Sequence, residues 1–415
     1  MSAQVRAVAT FLAILGLLAP LARASGEGSL RVGASGDYAP FSLRTEAGLG
    51  GFSQTVAEAY AAQTGRPLES VPFRWPDLLA DLAANRFDAA ASGVTVRPER
   101  SLAGRFSVPV AETGAVALVP AGSTAESLAE LDRPEVRVVV NRGGHLERVA
   151  RAHLPRARIE ALSPNDAVRA ALIEGRADAA ITDTVEAPHW RRGTDLRLLG
   201  PFTRDRKAWL LRADAGEEAA RLDRWLLARE ADGSLSRWRM RHRLEPTPAT
   251  AEPLAALLAA LDERLALMPL VAHVKRARGL PIEVPEREVR VLDAAVAAVG
   301  EAATAADKAT PDEAAVRALY RAQIEAAKAV QRATPAAPSS FAGAVYDLDG
   351  ELRPALLQIG EKIARLVVAL PRTLDCRHVR REAREALRAP HLGDADARAL
   401  ADAIVGVGGA TCPAE

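Results

Sequence analysis

The sequence predicts a multidomain protein with a two-lobed α/β domain in its N-terminal half and an all-α domain in its C-terminal half. Strand and helix patterns alternate from residue 30 to residue 243, and the alternation pauses around residues 119–123. Repeated βα units with such a pause predict two lobes with a cleft between them. Residues 245–253 are rich in proline and predict a semi-extended linker, beyond which every periodic segment is helical.

The first 24 residues have the layout of a secretory signal. Arg6 precedes an apolar run at residues 7–18, Pro20 ends the run, and an Ala-Arg-Ala sequence offers a cleavage site before Ser25. The run is too short to predict a membrane span. We therefore expect a periplasmic or secreted protein with no membrane contact once the signal is removed.

The composition excludes several classes of partner. The chain has 415 residues, enough for two or three domains, and a formal net charge of +1, which gives no overall attraction to nucleic acid. Its seven histidines are scattered without Cys/His ligand spacing, so we expect no metal and no organic cofactor. Cys376 and Cys412 should form a disulfide, because an exported chain permits one. We expect small-molecule substrates as partners, and a homo-oligomer stays open.

In the α/β half, residues 25–118 and 200–244 are expected to form one lobe and residues 119–199 the other. Apolar runs predict strands, and apolar residues at helical spacing predict helices. The expected strands are residues 30–34, 68–72, 87–91, 136–140, 158–161, 177–182 and 196–199. The expected helices are residues 51–64, 75–84, 146–153 and 165–174, and residues 206–243 add one strand and two helices.

Three polar clusters follow expected strands of the α/β half. Because such sheets present ligand sites at the carboxyl ends of their strands, the clusters are candidate site residues. Hydroxyls with a guanidinium suit a carboxylate, and a glycine turn that opens a helix suits an anion. Each cluster alone also has a structural interpretation, as a plain turn or a helix cap. The residues are Ser92, Thr95 and Arg100; Asn141, Gly144 and His145; and Asp183 and Glu186.

Four segments, GDYAPFS (residues 36–42), SGVTVRPER, VRVVVNRGG and TDTVE, together resemble the periplasmic solute-binding fold. More specifically, they resemble its enzymatic offshoot, the cyclohexadienyl dehydratases, over about residues 30–243. Asn141 and Glu186 are the residues that distinguish a resemblance to the dehydratases from a resemblance to ordinary solute-binding proteins. Ordinary amino-acid binders of this fold share the Arg100 clamp and often Asp183, but they generally lack the glutamate in the cleft.

The resemblance implies roles for these residues. Arg100 and the helix start after Gly144 would hold substrate carboxylates, and Trp75 would cover the ring. Glu186, with Asn141, would be catalytic, as the acid that protonates the departing hydroxyl. That role needs a raised pKa, which a closed cleft and a neighbouring Asp183 supply. The other expected substrate-binding residues are Asp37, Ser92, Thr95 and His145.

The chain departs from the dehydratase pattern at two positions. Ala115 stands where the family commonly has lysine, and the loss of that cation would lower dehydratase activity. Lys207 is a candidate replacement. His145 stands where threonine is usual, and we favour an exposed position for it at the start of a helix.

In the helical half, residues 263–288 combine an amphipathic helix, a break at residues 279–281 and a second helix after Pro285. Arg264 and Lys275 are eleven positions apart, which places both on one side of a single helix. Arg287 begins the second helix. A solvated basic face is the alternative interpretation.

The blocks RLxLMxxVAxxK, GLPIExxxRE and QIEAAKAVQ occur in this order and resemble the exported all-helical chorismate mutases, from residue 254 to residue 415. The resemblance implies that two arginines hold the substrate carboxylates, that Lys275 and Gln331 donate to the ether oxygen, and that Glu288 binds the substrate hydroxyl. It also implies a fourth cation at Lys362, where the family usually has arginine, with Arg365 as the alternate. The two arginines are Arg264 and Arg287. The exported mutases typically carry a disulfide like the one expected here.

Together the halves imply a bifunctional enzyme that converts chorismate to prephenate, and then prephenate to phenylpyruvate, arogenate to phenylalanine, or both. The alternative is a periplasmic binding module for an amino acid or aromatic acid, fused to a chorismate mutase. A third interpretation is an inactive mutase that serves as an oligomerisation bundle.

Overall fold

The computed structural model describes residues 28–46, 48–244, 249–336 and 346–413. The expected signal, residues 1–24, lies outside these ranges, as do residues 245–248 of the expected linker. Within the described ranges, no helix is both long enough and apolar enough to cross a membrane.

Strands occur only in the first half of the described chain, and helices occur throughout it. The strands are β1 Leu30–Ala34, β2 Asp37–Tyr38, β3 Ser42–Thr45, β4 Gly48–Gly50, β5 Leu68–Pro72, β6 Ala89–Thr95, β7 Gly104–Phe106, β8 Ala111–Thr113, β9 Ala115–Val119, β10 Arg137–Asn141, β11 Arg158–Leu162, β12 Ala179–Asp183, β13 Arg197–Leu199 and β14 Asp205–Arg212. The helices are α1 Phe52–Thr64, α2 Leu78–Ala83, α3 Pro98–Ala103, α4 Leu128–Leu131, α5 His145–His153, α6 Asn165–Ile173, α7 Ala187–Trp190, α8 Gly216–Ala231, α9 Ser234–Arg241, α10 Pro253–Ala266, α11 Met268–Ala277, α12 Pro285–Ala305, α13 Glu313–Ala333, α14 Arg353–Ala369, α15 Cys376–Ala386 and α16 Asp394–Val407. A 3₁₀ turn, Trp75–Asp77, leads into α2, and a π turn, Leu348–Leu352, leads into α14.

The first lobe is built on a mixed sheet. Parallel strands β5, β1 and β6 are continued by the antiparallel strands β14 and β7, and β8 also pairs with β14. Helix α1 buries Phe52, Val56 and Tyr60 completely. Every residue of β6 is buried, as expected of a strand that is covered on both faces.

The second lobe has the strand order β11-β10-β12-β9-β13, with β10 parallel to both of its neighbours. It begins at Ala115 rather than near residue 119, because the fully buried strand β9 pairs with β12 of this lobe. Residues 115–118, which were expected in the first lobe, therefore belong to the second.

The strand expected at residues 87–91 is displaced and is found as β6, Ala89–Thr95. Asp88 ends the preceding turn, because Arg31 donates to its carboxylate from the backbone at 3.0 Å and from the guanidinium at 2.6 Å. At its other end, β6 continues to Thr95 by pairing with β14.

The helix break expected at residues 279–281 is confirmed, since α11 ends before it and α12 begins at Pro285. The single helix expected through Arg264 and Lys275 is wrong, because it divides at Leu267 into α10 and α11. Pro269 has no N–H to donate to the carbonyl four residues earlier, so the helical hydrogen bonding is interrupted there.

The helical half packs directly on the first lobe. One apolar core runs through both and includes Val108 and Val110 of the lobe with Leu254 and Leu258 of α10. The end of the expected linker is also fixed: Thr250 donates to the Pro109 carbonyl at 2.9 Å. The expected disulfide is present between Cys376 and Cys412 and joins the start of α15 to the segment after α16.

Candidate active sites

The helical half contains a cavity of about 760 Å³ whose lining includes six cationic side chains, Arg290 and Lys328 among them. Arg264 comes from the end of α10, Lys275 from α11, Arg287 from the start of α12, and Arg353 from the start of α14. Glu288 and Gln331 also line it, and the remaining lining is mostly apolar. Five of the six mutase-site residues predicted from the sequence therefore share one cavity.

Arg264 is held rigidly in this cavity. Its Nη1 donates to the Leu356 carbonyl of α14 at 3.0 Å. Burial lowers the pKa of its guanidinium, and Arg287 adds to the lowering. The neighbouring Tyr320 hydroxyl also lines the cavity, and burial raises its pKa to about 12. An anion that entered the cavity would find a cation with little competing solvent.

Lys275 keeps donors free for a ligand. Its Nζ donates to the Ile282 carbonyl at 3.1 Å, and an ammonium group has two further hydrogens. The turn at residues 279–281 brings that carbonyl back toward α11. Partial burial, followed by the charges of Arg287 and Arg353, lowers the pKa of Lys275.

Gln331 is buried and underused as a hydrogen-bonding group. Its Nε2 donates to the Ala327 carbonyl at 3.0 Å and to the weakly accepting Met268 Sδ at 3.6 Å. Its Oε1 is buried and has no partner among the described residues. Beside it, Glu288 is paired at 3.2 Å with Lys328, which also lines the cavity and was not anticipated. A ligand with both donors and acceptors would satisfy these groups.

The prediction that Lys362 supplies the fourth cation is wrong. Its Nζ binds Glu263 at 2.7 Å and the Phe106 carbonyl at 3.1 Å, and it lies outside the cavity lining. Arg353 lines the cavity instead. The two residues are nine positions apart on α14, which is two and a half turns, so they point from opposite faces. The alternate, Arg365, is also elsewhere and pairs with Asp223 of α8 at 3.2 Å.

A second, much smaller space of about 40 Å³ lies between the two lobes of the α/β half. Most of the residues predicted for the dehydratase site meet there. They are Trp75, Thr95, Arg100, Asn141, Gly144, His145 and Glu186. Tyr38, Asn165 and Lys207 complete its polar lining.

Arg100 lies at the floor of this cleft. It is 2% exposed, its Nη1 donates to the Thr95 carbonyl at 3.0 Å, and its guanidinium carbon lies 5.8 Å from the centre of the Trp75 ring. Burial lowers its pKa. Its Nε is enclosed and has no hydrogen-bond partner in the part of the chain that the structure describes. This is a cation with spare donors next to an aromatic surface.

Glu186 is buried in the cleft and is held from the second lobe. Its two oxygens accept hydrogen bonds from Asn165 Nδ2 at 2.6 Å and Thr182 Oγ1 at 2.7 Å. Burial raises its pKa well above the usual range, and the charge of Asp183 raises it further. Burial therefore favours the protonated form of this carboxyl, while the two hydrogen bonds that it accepts act in the opposite direction.

Lys207 reaches the cleft, whereas Ala115 is fully buried in β9 opposite Asp183. Its Nζ donates to Thr95 Oγ1 at 2.8 Å and lies 3.8 Å from Asp183 Oδ2. Burial lowers its pKa, while Asp183 acts in the opposite direction. A cation is therefore present in the cleft, on a different strand from the one where the sequence comparison expected it.

Three predicted residues lie beside the cleft rather than in it. Ser92 is fully buried and bonds Ser35, accepting from its backbone N–H at 2.8 Å. Asp183 caps the turn after β12, since its Oδ1 accepts from the backbone of Glu186 at 3.0 Å, and its other oxygen binds Tyr38. Asp37 accepts from the Trp75 indole at 3.2 Å. Asp183 and Asp37 therefore hold residues that line the cleft, whereas Ser35, the partner of Ser92, does not line it.

The prediction that His145 is an exposed residue at a helix start is wrong. It does begin α5, but its side chain is 19% exposed and its Nε2 lies 2.9 Å from Asp205 Oδ1. Burial lowers its pKa. The imidazole thereby lies against the first lobe.

The lobes are closed on one another. Asn165 donates across the gap to the Asp37 carbonyl at 3.1 Å, and Arg148 pairs with Glu99 at 2.5 Å. At Gly143, where φ is +71°, an added Cβ would lie 2.9 Å from Pro76 of the other lobe. A side chain at this position would hold the lobes apart, so the glycine permits their close approach.

Comparisons with known proteins divide the chain at the same place. Residues 30–245 match the bacterial extracellular solute-binding proteins, family 3, and residues 255–332 match chorismate mutase type II. A cyclohexadienyl dehydratase of Pseudomonas aeruginosa is 38% identical over 225 residues, which are 52% of this chain and 83% of that protein. An L-cystine-binding protein of Escherichia coli is 30% identical over 161 residues, 39% of this chain and 60% of that protein. The crystal structure of an ancestral amino acid-binding protein, described as a precursor of cyclohexadienyl dehydratase, aligns with a TM-score of 0.50 at 30% identity and covers 52% of this chain and 95% of its own.

Proposed function

Because the chain belongs to the bacterial extracellular solute-binding proteins, family 3, and carries a chorismate mutase type II domain behind that half, we propose that it is a bifunctional enzyme. The helical half converts chorismate to prephenate. The α/β half converts prephenate to phenylpyruvate, and arogenate to phenylalanine. The observation that carries the proposal is the shared cavity of Arg264, Lys275, Arg287 and Gln331.

The mutase reaction suits a cavity of cations. Chorismate rearranges within itself, so the protein must hold the dianion in its reactive conformer and stabilise the charge that grows on the ether oxygen. Arg264 and Arg287 bind the two carboxylates, and Arg353 supplies the further cation at the same cavity. The free hydrogens of Lys275 serve the ether oxygen, together with the Gln331 amide hydrogen that otherwise faces the weak acceptor Met268 Sδ.

The dehydratase reaction suits the cleft. Arg100, with its unpartnered Nε, and the helix start after Gly144 bind carboxylates, and Trp75 lies against the ring. Glu186 protonates the ring hydroxyl, which leaves as water. The electrons of the breaking bond to the ring carboxylate complete the aromatic ring as carbon dioxide departs, and Glu186 regains a proton from solvent.

The closed cleft is too small to admit a ring with two carboxylates, since ligand sites usually measure several hundred Å³. Substrate therefore binds while the lobes are apart. Their closure brings Glu186 and Asn141 of the second lobe against Arg100 of the first and removes water from the reaction.

The test uses the full chain and two substrates. Chorismate loss and prephenate appearance report the mutase, and phenylpyruvate formed from added prephenate reports the dehydratase. An Arg264→Ala variant should lose the first activity and keep the second. Prephenate that binds without turnover would instead support a binding module fused to a mutase, and failure to consume chorismate would support an inactive bundle.

We also propose that the protein acts in the periplasm or outside the cell, as the family description implies, after removal of residues 1–24. Sequencing the N-terminus of the mature protein and fractionating the host cells test this. An unprocessed protein in the cytoplasm would contradict it.

A further inference from the structure

A buried polar cluster joins the two halves of the protein. Glu263 of α10 accepts a hydrogen bond from Ser101 of α3 at 2.9 Å and an ion pair from Lys362 of α14 at 2.7 Å. The same lysine donates to the Phe106 carbonyl of β7 at 3.1 Å. Ser101, Glu263 and Lys362 are 2%, 7% and 5% exposed, so the cluster is shielded from solvent.

Burying an ion pair contributes little stability by itself, because desolvation opposes the attraction. Here each carboxylate oxygen of Glu263 has a partner, and two of the contacts come from the other half. Apolar contacts hold the rest of this interface and are not directional. The cluster therefore sets the register in which α10 and α14 lie against the first lobe.

The residue after Glu263 is Arg264, which lines the mutase cavity. Arg264 is fixed to α14 through the Leu356 carbonyl, and Glu263 is fixed to α14 through Lys362. The register of α10 on α14 therefore decides where the Arg264 guanidinium lies. Ser101, which belongs to the α/β half, helps to fix that register through its hydrogen bond to Glu263.

We propose that Ser101 and Glu263 are positioning residues for chorismate binding, so that the α/β half completes the mutase site through the Ser101 hydroxyl. The inference rests on the mutase activity proposed above. It assigns Lys362 to the support of Arg264 rather than to the substrate. It also makes the mutase dependent on a residue of the other half of the chain.

The experiment compares full-length Ser101→Ala with two control variants. Ser42→Ala removes another buried hydroxyl of the same lobe, which accepts from the Gly36 N–H at 2.9 Å, and Arg204→Ala removes a different contact between the halves, to the Glu385 carbonyl at 3.3 Å. For each protein, KM and kcat are measured with chorismate, and turnover is measured with prephenate. We expect Ser101→Ala to raise KM for chorismate about tenfold with a smaller change in kcat, because a displaced carboxylate-binding arginine weakens binding.

The controls should stay within about twofold of the wild type, and Ser101→Ala should retain prephenate turnover. Wild-type KM in Ser101→Ala would overturn the proposal. An equal rise of KM in Arg204→Ala would also overturn it, because the whole interface would then be responsible. A loss of both activities in Ser101→Ala would overturn it as well, because the cluster would then be merely structural. A wild-type chain that does not consume chorismate would overturn the proposed function and this inference with it.

Discussion

Replacing Glu186 with glutamine tests the acid assigned to the dehydratase. Glutamine has the same shape as the protonated acid that burial favours, and its Oε1 can still accept from Asn165 Nδ2. Thr182 Oγ1, now 2.7 Å from the glutamate, can rotate its hydrogen away and accept from the new amide. We therefore expect the fold and substrate binding to be preserved.

The chemical step should suffer, because an amide cannot release a proton to the departing hydroxyl. General acids typically contribute about 10²- to 10⁴-fold to a rate, which is roughly 3 to 5.5 kcal/mol of barrier. We expect kcat with prephenate to fall by that factor and KM to change little, since Arg100 still binds the carboxylate.

The assay follows phenylpyruvate formation across a pH series. Because Glu186 must be protonated and its pKa is raised, wild-type activity should persist at neutral pH and fall as the pH rises through that pKa. In Glu186→Gln this fall should be absent from the residual rate. Chorismate consumption by the same variant, at the other site, should equal that of the wild type and serves as the internal control. A variant that keeps wild-type kcat with prephenate would refute the assignment of Glu186 as the acid.

Four further predictions concern groups elsewhere in the chain. Arg353→Ala should raise KM for chorismate by about tenfold, the loss expected for one hydrogen-bonded charge, and leave prephenate turnover unchanged; equal chorismate kinetics would contradict its place in the site. Lys207→Met should lower kcat with prephenate by at least about tenfold, because it removes the cation beside Thr95, and full activity would show that the cleft does not need it. Mutase activity should fall with rising alkaline pH earlier than a solvent-exposed lysine would require, because the pKa of Lys275 is lowered and its charged form is needed; a profile flat to the pKa of free lysine would contradict this. Reducing the disulfide between Cys376 and Cys412, 36 residues apart, should lower the free energy of unfolding by about 3 to 4 kcal/mol, which denaturant titration with and without reductant measures, and an unchanged midpoint would contradict it.

Most of the polar lining of the cavity in the helical half could be predicted, because the matched sequence blocks include Arg264, Lys275, Arg287, Glu288 and Gln331. Arg264 and Lys275 were expected on one side and do meet, even though Pro269 divides their helix. The prediction for Lys362 was wrong because it matched a sequence position to the family pattern without considering which face of α14 that residue lies on. Residues 353, 356, 357, 360 and 361 all line the cavity, a helical stripe that begins at Arg353 and that periodicity alone could have revealed.

The cleft was harder to predict, because strand ends identify a region rather than a direction. Ser92 and Thr95 are three residues apart on β6, and side chains three apart on a strand point to opposite faces, so both could not line one cleft. Asn165 and Tyr38 were missed because their places in the cleft depend on contacts between the lobes, where Asn165 donates to the Asp37 carbonyl and Tyr38 binds Asp183. Lys207 could be suggested from the sequence, but its reach depends on the pairing of β14 with β6.

The contrast between a 760 Å³ cavity and a 40 Å³ cleft has a consequence for the timing of the two steps. The first reaction takes place in a cavity that is already large enough for its substrate. The second reaction cannot begin until the two lobes of the α/β half have opened. Prephenate released from the cavity is diluted into solvent for as long as the cleft remains closed. The overall yield of aromatic product therefore depends on how often the lobes open, as well as on the rate of the reaction in the cleft.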